Sequence, residues 1–528
     1  MKARLPSAVI LALLFAGCAL AAEPPRHVVV LVWDGMRRDF ITPETTPNLW
    51  ALAQSGVFFA NHHPVYPSST EVNGTAMATG AYPGHSTIVG NKEFRAGIDP
   101  KKSVAAEDPA VIARGDALSG GHFLALETLA EYLQAHGQRT VIAGAKQVAL
   151  LHDRRPRAEG PSVSPVLFEG AALPASVEKQ IVATLGPLPE IPVDPVTKKG
   201  SDKLARDVWT TRALLEVLWK DGVPPYSLLW LSEPDYSQHA SGPGSPPALA
   251  GIASSDRHLG EVLADLDRRG LRASTDVFVV SDHGFSTISG TADVAVDLSK
   301  LGIDAARVLL GGMQPGKVLV VSNSGTVFLY VANHEAALVQ KIAAWAQAQP
   351  WAGVVFSREK IEGTFPLSTV HLDSAEAPDL VIAMRWTGGR SANGTPGLIF
   401  SESLERGPGQ GNHTSLSPTD MANTLVAAGP DFRVGVRDPL ASANTDLAPT
   451  IMWILGHREE AVRRDGRVLS EALAASDAPP LRSVNLQRLT ARRELPTGVW
   501  TQYLQTVEVN GVHYFDEGNG AFAPTPNK

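Results

Sequence analysis

The feature that most constrains this chain is the run His27–Trp33, HVVVLVW, which carries no formal charge and stops at Asp34-Gly35. Apolar residues on both alternations leave no face for water, so the run predicts a central strand of a parallel sheet covered on both sides. The same plan recurs at 140–142, 226–231 and 276–280. Helical patterns fill the intervals at 124–136, 204–220 and 252–269, two of them stopping at Gly137 and Gly270. Strands alternating with helices of this length predict an α/β fold, a central mostly parallel sheet with helices on both faces. Ligands of such sheets bind beyond the carboxyl ends of the strands.

From Ser286 to about Phe400 the pattern changes to strands around a single helix at 335–348, which predicts a smaller inserted α+β lobe. Helical patterns return at 418–428 and 446–455. After a linker rich in charge and alanine, 459–480, strand-like residues flank Asn510-Gly511, a dipeptide that favours a tight turn, and predict a C-terminal β-hairpin. The expected organisation is a leader, 1–22, a main domain made of 23–285 and 401–458, the lobe 286–400, and a tail 459–528.

The leader reads as a secretory signal: Lys2 and Arg4 precede an apolar run from Ala8 to Leu20, followed by small residues. That run is too short for a span of about 20 residues, and no later stretch suits a transmembrane helix. Export to a periplasmic or secreted location is expected. Ala19-Leu20-Ala21 offers a cleavage site that discards Cys18; the competing reading, Phe15-Ala16-Gly17-Cys18 as an imperfect lipobox, would anchor the protein through an acylated Cys18. Cys18 is the only cysteine, so a disulfide within the chain is excluded. With 46 basic against 54 acidic residues and no block of like charge, binding of nucleic-acid duplexes through general surface electrostatics is not expected. An anionic ligand has to find local positive charge.

Single residues near the strand ends each have an ordinary explanation. Asp34 before Gly35 reads equally as a turn residue, Thr70 in PSSTE as a helix N-cap, and Asp235 and His239 as a polar loop. Asp282-His283 reads as a turn and His413 as one of 15 histidines. Their conjunction is different, because the sheet would gather Asp34, Asp235 with His239, and Asp282 with His283 at one edge. With His413 these make three carboxylates and three imidazoles, enough to hold two Zn2+ with open positions left for substrate and nucleophile. Two divalent ions and three carboxylates leave about one positive charge, which attracts phosphate, and paired metals stabilise both oxygens of an in-line displacement. Thr70, at a helix start whose N–H groups favour anions, suits the nucleophile.

These pieces resemble the alkaline phosphatase superfamily, and within it the type I phosphodiesterase/nucleotide pyrophosphatase branch. The matching segments are VVVLVWDGMRRD around Asp34, PSSTEVNGTAMATGAYPGHSTIVGN from Pro67 to Asn91, SEPDYSQHASGP around Asp235, VVSDHGF around Asp282 and GNHTS around His413. The resemblance implies a covalent intermediate on Thr70 and a hydrogen bond from Asn91 to a phosphoryl oxygen. It implies one zinc on Asp34, Asp282 and His283 beside Thr70, and a second on Asp235, His239 and His413. The implied substrate is a small phosphate ester or nucleotide. Two features depart from the branch. No Trp-Pro-Gly type segment follows residue 142; Lys146 stands there instead and resembles the substrate-contacting lysine of zinc-dependent phosphomonoesterases, whose second basic residue is Val148 here. A phosphomonoesterase using Lys146 is therefore the alternative enzyme, and a metal-loaded binding protein without turnover the alternative of another class. A sulfatase is excluded because no C/S-x-P-x-R segment surrounds Thr70.

Overall fold

The structure, a computed structural model, describes residues 26–525 apart from 158, 161–162, 194–199, 201, 403–404 and 476; the expected leader with Cys18 lies outside the described residues. Strand His27–Trp33 occupies the middle of a nine-stranded sheet, flanked in parallel by Tyr226–Leu231 and Thr275–Val280. Thr140–Gly144 and Val166–Phe168 continue the parallel run, and antiparallel Ala171–Leu173 closes that edge. Val28, Val30 and Val32 enter one hydrophobic core, while Val29, Leu31 and Trp33 enter a second on the opposite face. The absence of a polar alternation in the sequence thus has its cause in a sheet that is covered on both sides.

The helices between these strands follow their caps more closely than their apolar periodicity. Thr128 and Glu131 form a reciprocal capping box, so the helix expected from 124 begins at Leu129. The helix expected at 252–269 begins earlier, at Pro246, where Ser245 caps it, and runs to Arg268.

One expectation is overturned. The alanine-rich 418–428 is not helical: 418–424 is turn and bridge, and Leu425–Ala428 is a strand antiparallel to Thr275–Val280, followed outward by Val57–His63 and Val436–Ala443. Its four residues are buried, and filling a fully enclosed slot in the sheet outweighs the modest helix propensity of alanine.

Beyond residue 286 the chain builds three further sheets. A four-stranded one joins Ser286–Thr291, Trp386–Arg390, Pro396–Ser401 and Gly411–Asn412. A six-stranded one includes Lys317–Asn323 and Thr326–Val331 and packs on helix Ala336–Gln347. A second helix there, Val294–Lys300, was not expected, since its seven residues are too few to display a helical period. The C-terminal hairpin turns at Asn510-Gly511, both at positive φ, but it is part of a three-stranded antiparallel sheet: Val484–Leu495 pairs along its length with Gly498–Val509, which pairs with Val512–Pro524. Buried Gln502 docks this sheet by bonding both backbone groups of Val355.

Candidate active site

Three parallel strands deliver three carboxylates to one edge of the sheet. Asp34 follows His27–Trp33, Asp235 opens a helix after Tyr226–Leu231, and Asp282-His283 follows Thr275–Val280. Gly35 stitches the three ends together. Its N–H donates to Asp282 Oδ1 at 2.9 Å, its carbonyl accepts from Gln238 Nε2 at 2.9 Å, and the preceding carbonyl of Asp34 accepts from Asp235 N–H at 2.9 Å. At φ +70° with a notional Cβ 2.9 Å from the Phe285 ring and 3.1 Å from Asp235 Cα, only glycine fits this turn. His413 arrives on Gly411–Asn412, which pairs with Ser286–Thr287 directly after the Asp282 turn. Thr70 is the first residue of the buried helix Thr70–Thr79, with Ser69 at the N-cap position, so the N-cap reading of Thr70 gives way.

Each carboxylate has one oxygen that is bonded and one that is not. Asp34 Oδ2 accepts from Trp230 Nε1 at 2.8 Å and Asp282 Oδ1 from Gly35, whereas Asp34 Oδ1, Asp235 Oδ1 and Asp282 Oδ2 are buried without a hydrogen-bond partner among the described residues. The three imidazoles complement them. His283 Nδ1 bonds the carbonyl of Gly284 at 2.9 Å, His413 Nδ1 that of Ser68 at 2.9 Å, and His239 Nδ1 that of Gly411 at 3.0 Å. With Nδ1–H committed to a carbonyl, Nε2 of each ring is left as a lone-pair donor. Two groups have ligand atoms close enough to share an ion: Asp34, Asp282 and His283, and Asp235, His283 and His413. His239 stands beside the second, its Nε2 3.3 Å from Asp235 Oδ1. Thr70 Oγ1 lies 3.3 Å from His283 Nε2.

The electrostatics describe a pocket short of positive charge. Burial, reinforced by Asp282, pushes the Asp34 carboxyl well above its usual range, and burial raises Asp282 to about 7. Asp235 is buried too, but Lys146 and His239 hold it well below the ordinary value. Lys146 Nζ lies 2.8 Å from Asp34 Oδ2 and 3.3 Å from Asp235 Oδ2, an ammonium standing where two carboxylates call for a cation. Burial holds His413 well below the usual imidazole range and lowers His283 and His239, which keeps the rings neutral and able to ligate. Orphaned hard oxygens, neutral Nε2 donors and missing positive charge are the donor set that a divalent metal satisfies.

A cleft of about 370 Å³ opens over this group, lined by Thr70, Lys146, Asp235, His239 and His413, with Asn91 on its wall. Asn91 Oδ1 accepts from Glu71 N–H at 3.2 Å, so its NH2 is the half left to donate. Every candidate site residue is therefore in contact with the cluster or lines its cleft.

Several residues were not singled out in the sequence. Trp230, read as core, anchors Asp34. Buried Asp207 accepts from the N–H groups of Ser232 and Glu233 at 2.7 and 3.0 Å and so holds the loop that ends in Asp235, while Glu233 bonds Ser237 and Lys203. Asn444 donates to the carbonyl of Asp282 at 2.8 Å. An acid inside a helical pattern, as Asp207 is, was the one signal available.

The model of the family "Type I phosphodiesterase / nucleotide pyrophosphatase" matches residues 28–388. The chain belongs to this family. Among curated relatives, a venom phosphodiesterase of Naja atra is 33% identical over 66 residues, 12% of this chain and 8% of the relative. Ectonucleotide pyrophosphatase/phosphodiesterase family member 3 of Mus musculus is 20% identical over 286 residues, 52% of this chain and 27% of the relative. An uncharacterized pyrophosphatase/phosphodiesterase of Schizosaccharomyces pombe is 23% identical, over 51% of this chain and 47% of the relative, so the chain spans less than half of each. A solved structure of murine ectonucleotide pyrophosphatase/phosphodiesterase 5, an inactive form in complex with AMP, superposes with a TM-score of 0.56 at 18% identity and covers 81% of this chain and 95% of that one. The human counterpart gives 0.54 at 17%. The family's mixed α/β fold is thus the fold of this chain.

Proposed function

We propose that the protein is an exported hydrolase of phosphate esters, of the phosphodiesterase/nucleotide pyrophosphatase type, that works through a covalent threonine intermediate with two Zn2+. The reading rests on one observation: three carboxylate oxygens without a hydrogen-bond partner among the described residues and the imidazoles of His283 and His413 converge beside the Thr70 hydroxyl, with His239 Nε2 3.3 Å from Asp235 Oδ1. Asp34, Asp282 and His283 would hold one zinc and Asp235, His239 and His413 the other, supplying Lewis-acid stabilisation of the phosphoryl group and of the oxygens entering and leaving it. In the first step a bond forms from Thr70 Oγ1 to phosphorus, the bond from phosphorus to the leaving oxygen breaks, and that oxygen takes a proton. In the second step water attacks the same phosphorus and returns the threonine hydroxyl. Asn91 NH2 donates to a non-bridging oxygen, and the fixed imidazole orientations keep the pocket preorganised. The lobe, as we delimit it at 286–400, contributes Arg307, Ser322 and Ser324 to the outer wall of the cleft and so bears on which ester is accepted.

Thr70→Ala is expected to reduce hydrolysis of aryl phosphodiesters at least about a thousandfold, with the fold intact by circular dichroism. Full retention of turnover would falsify the assignment of the nucleophile. Lys146 favours a second reading, a phosphomonoesterase: its ammonium lines the cleft, and a dianionic monoester gains more from such a charge than a diester does.

A further inference from the structure

The C-terminal sheet carries a groove that takes no part in the site above. Strand Val484–Leu495 is an edge strand, paired among the described residues only with Gly498–Val509. Its alternation splits it in two: Leu489 and Ala491 pack inward on the main core, while Arg488, Thr490 and Arg492 face outward. Together with Thr501 and Tyr503 on the next strand, and with Arg385 as the opposite wall, they line a groove of about 570 Å³.

The lining contains three arginines and no acid, in a chain with a formal charge of -8. Arg385 and Arg488 form no ion pair among the described residues, and Arg492 meets only Glu494, at 3.0 Å, both strongly exposed. The guanidinium carbon of Arg488 lies over the Tyr503 ring, 3.7 Å from its centroid, and the Tyr503 hydroxyl donates to Glu517 at 2.8 Å. The ring holds the Arg488 head in place, and a guanidinium, with five N–H donors in one plane, has donors to spare for a carboxylate, sulfate or phosphate. Arg488 and Arg492 are about 13 Å apart along the strand, so two anionic groups on one extended chain can be held at once. Thr490 lies between them, and Thr501 stands across from Arg492 on the next strand.

We propose that this groove binds an anionic polysaccharide, its carboxylate or sulfate groups on Arg385, Arg488 and Arg492 and its hydroxyls on Thr490 and Thr501. Two other polyanions fit less well. A single-stranded nucleic acid needs an open aromatic face for its bases, and the ring of Tyr503 is covered by Arg488. An anionic membrane needs large apolar side chains to insert, and apart from Tyr503 under Arg488 the groove lining holds no apolar residue larger than alanine.

The test measures binding of the full-length protein to heparin, to alginate and to neutral dextran by titration calorimetry at low and at 0.3 M salt, with a dT oligonucleotide and phosphatidylglycerol vesicles alongside. Salt-sensitive binding to heparin or alginate and none to dextran is expected, the preferred probe telling sulfate from carboxylate. The double variant Arg488→Glu/Arg492→Glu should lower that affinity at least tenfold while hydrolysis of a small aryl ester stays unchanged; Arg385→Gln, which leaves the sheet untouched, should lower it about threefold. No binding to either polysaccharide, equal binding by the variants, or tighter binding of the oligonucleotide or vesicles overturns the proposal.

Discussion

At the scale of single residues, the site works by leaving atoms unpaired on purpose. Asp34 is bonded on one side by Trp230 and Lys146 and open on the other, and each imidazole is tied through Nδ1 to a backbone carbonyl, which turns its Nε2 toward the carboxylates and Thr70. These open atoms come from residues legible in the sequence, because Asp34-Gly35, Asp282-His283 and the Asp235/His239 spacing interrupt otherwise uniform patterns. Their anchors were not legible: an indole that bonds a carboxylate looks, in an apolar run, like any buried tryptophan. Val148 shows the converse. It stands where a second basic residue was sought, and it is buried against Gly74 of the Thr70 helix, whose notional Cβ would lie 2.8 Å from it, so a charged side chain has no room there. Only Lys146 then supplies side-chain charge from this loop. Lys146→Gln is expected to slow hydrolysis of an aryl monoester by about 10²-fold or more and that of the matched diester by no more than about tenfold. Equal losses on both substrates would show that Lys146 serves the carboxylates and not the extra phosphate charge.

Elements are positioned by polar clamps as much as by apolar packing. The Thr70 helix is buried at all ten positions, so it shows no amphipathic period and its sequence betrays only its start. The helix of Asp235 is placed through the loop ahead of it, where both oxygens of Asp207 accept backbone N–H groups. Asp207→Asn keeps the shape but turns an amide NH2 toward one of those donors, a mismatch that costs about 1 to 3 kcal/mol. The expected result is a melting temperature lower by several degrees together with weaker zinc retention in competition with a chelator. Unchanged zinc retention would mean that Asp235 is held by other contacts. The strand Leu425–Ala428 was misread for a related reason: an alanine-rich segment takes its conformation from the slot it fills, and that slot exists only once the rest of the sheet has formed.

For the whole molecule, the sequence conveyed the sheet better than the periphery. Long apolar strands announce a core covered on both faces, whereas Val484–Leu495, exposed over its first half and rich in arginine, alternates only from Arg488 onward and buries no residue fully, too weak a pattern to mark a strand. The buried histidines add a pH dependence. Burial lowers His152 to about 3 and His62 to about 3, against an ordinary 6.5, so each is neutral in the fold and takes up a proton more readily when unfolded. A depressed pKa of this kind contributes stability that is present above about 6.5 and lost as pH falls from there toward 3. For His152 alone the loss reaches roughly 2 to 3 kcal/mol by about pH 4.5. His152→Phe keeps a ring against Trp230 and removes the titration, so its urea midpoint should decline less steeply than that of the wild type between pH 6.5 and 4.5. Parallel declines would refute that origin.

The most direct measurement is diffraction from crystals of the zinc-loaded protein at the zinc absorption edge. Two anomalous peaks about 4 Å apart are predicted, one among Asp34, Asp282 and His283 on the Thr70 side and one among Asp235, His239 and His413. Peaks remote from these side chains, or none at saturating zinc, would contradict the account.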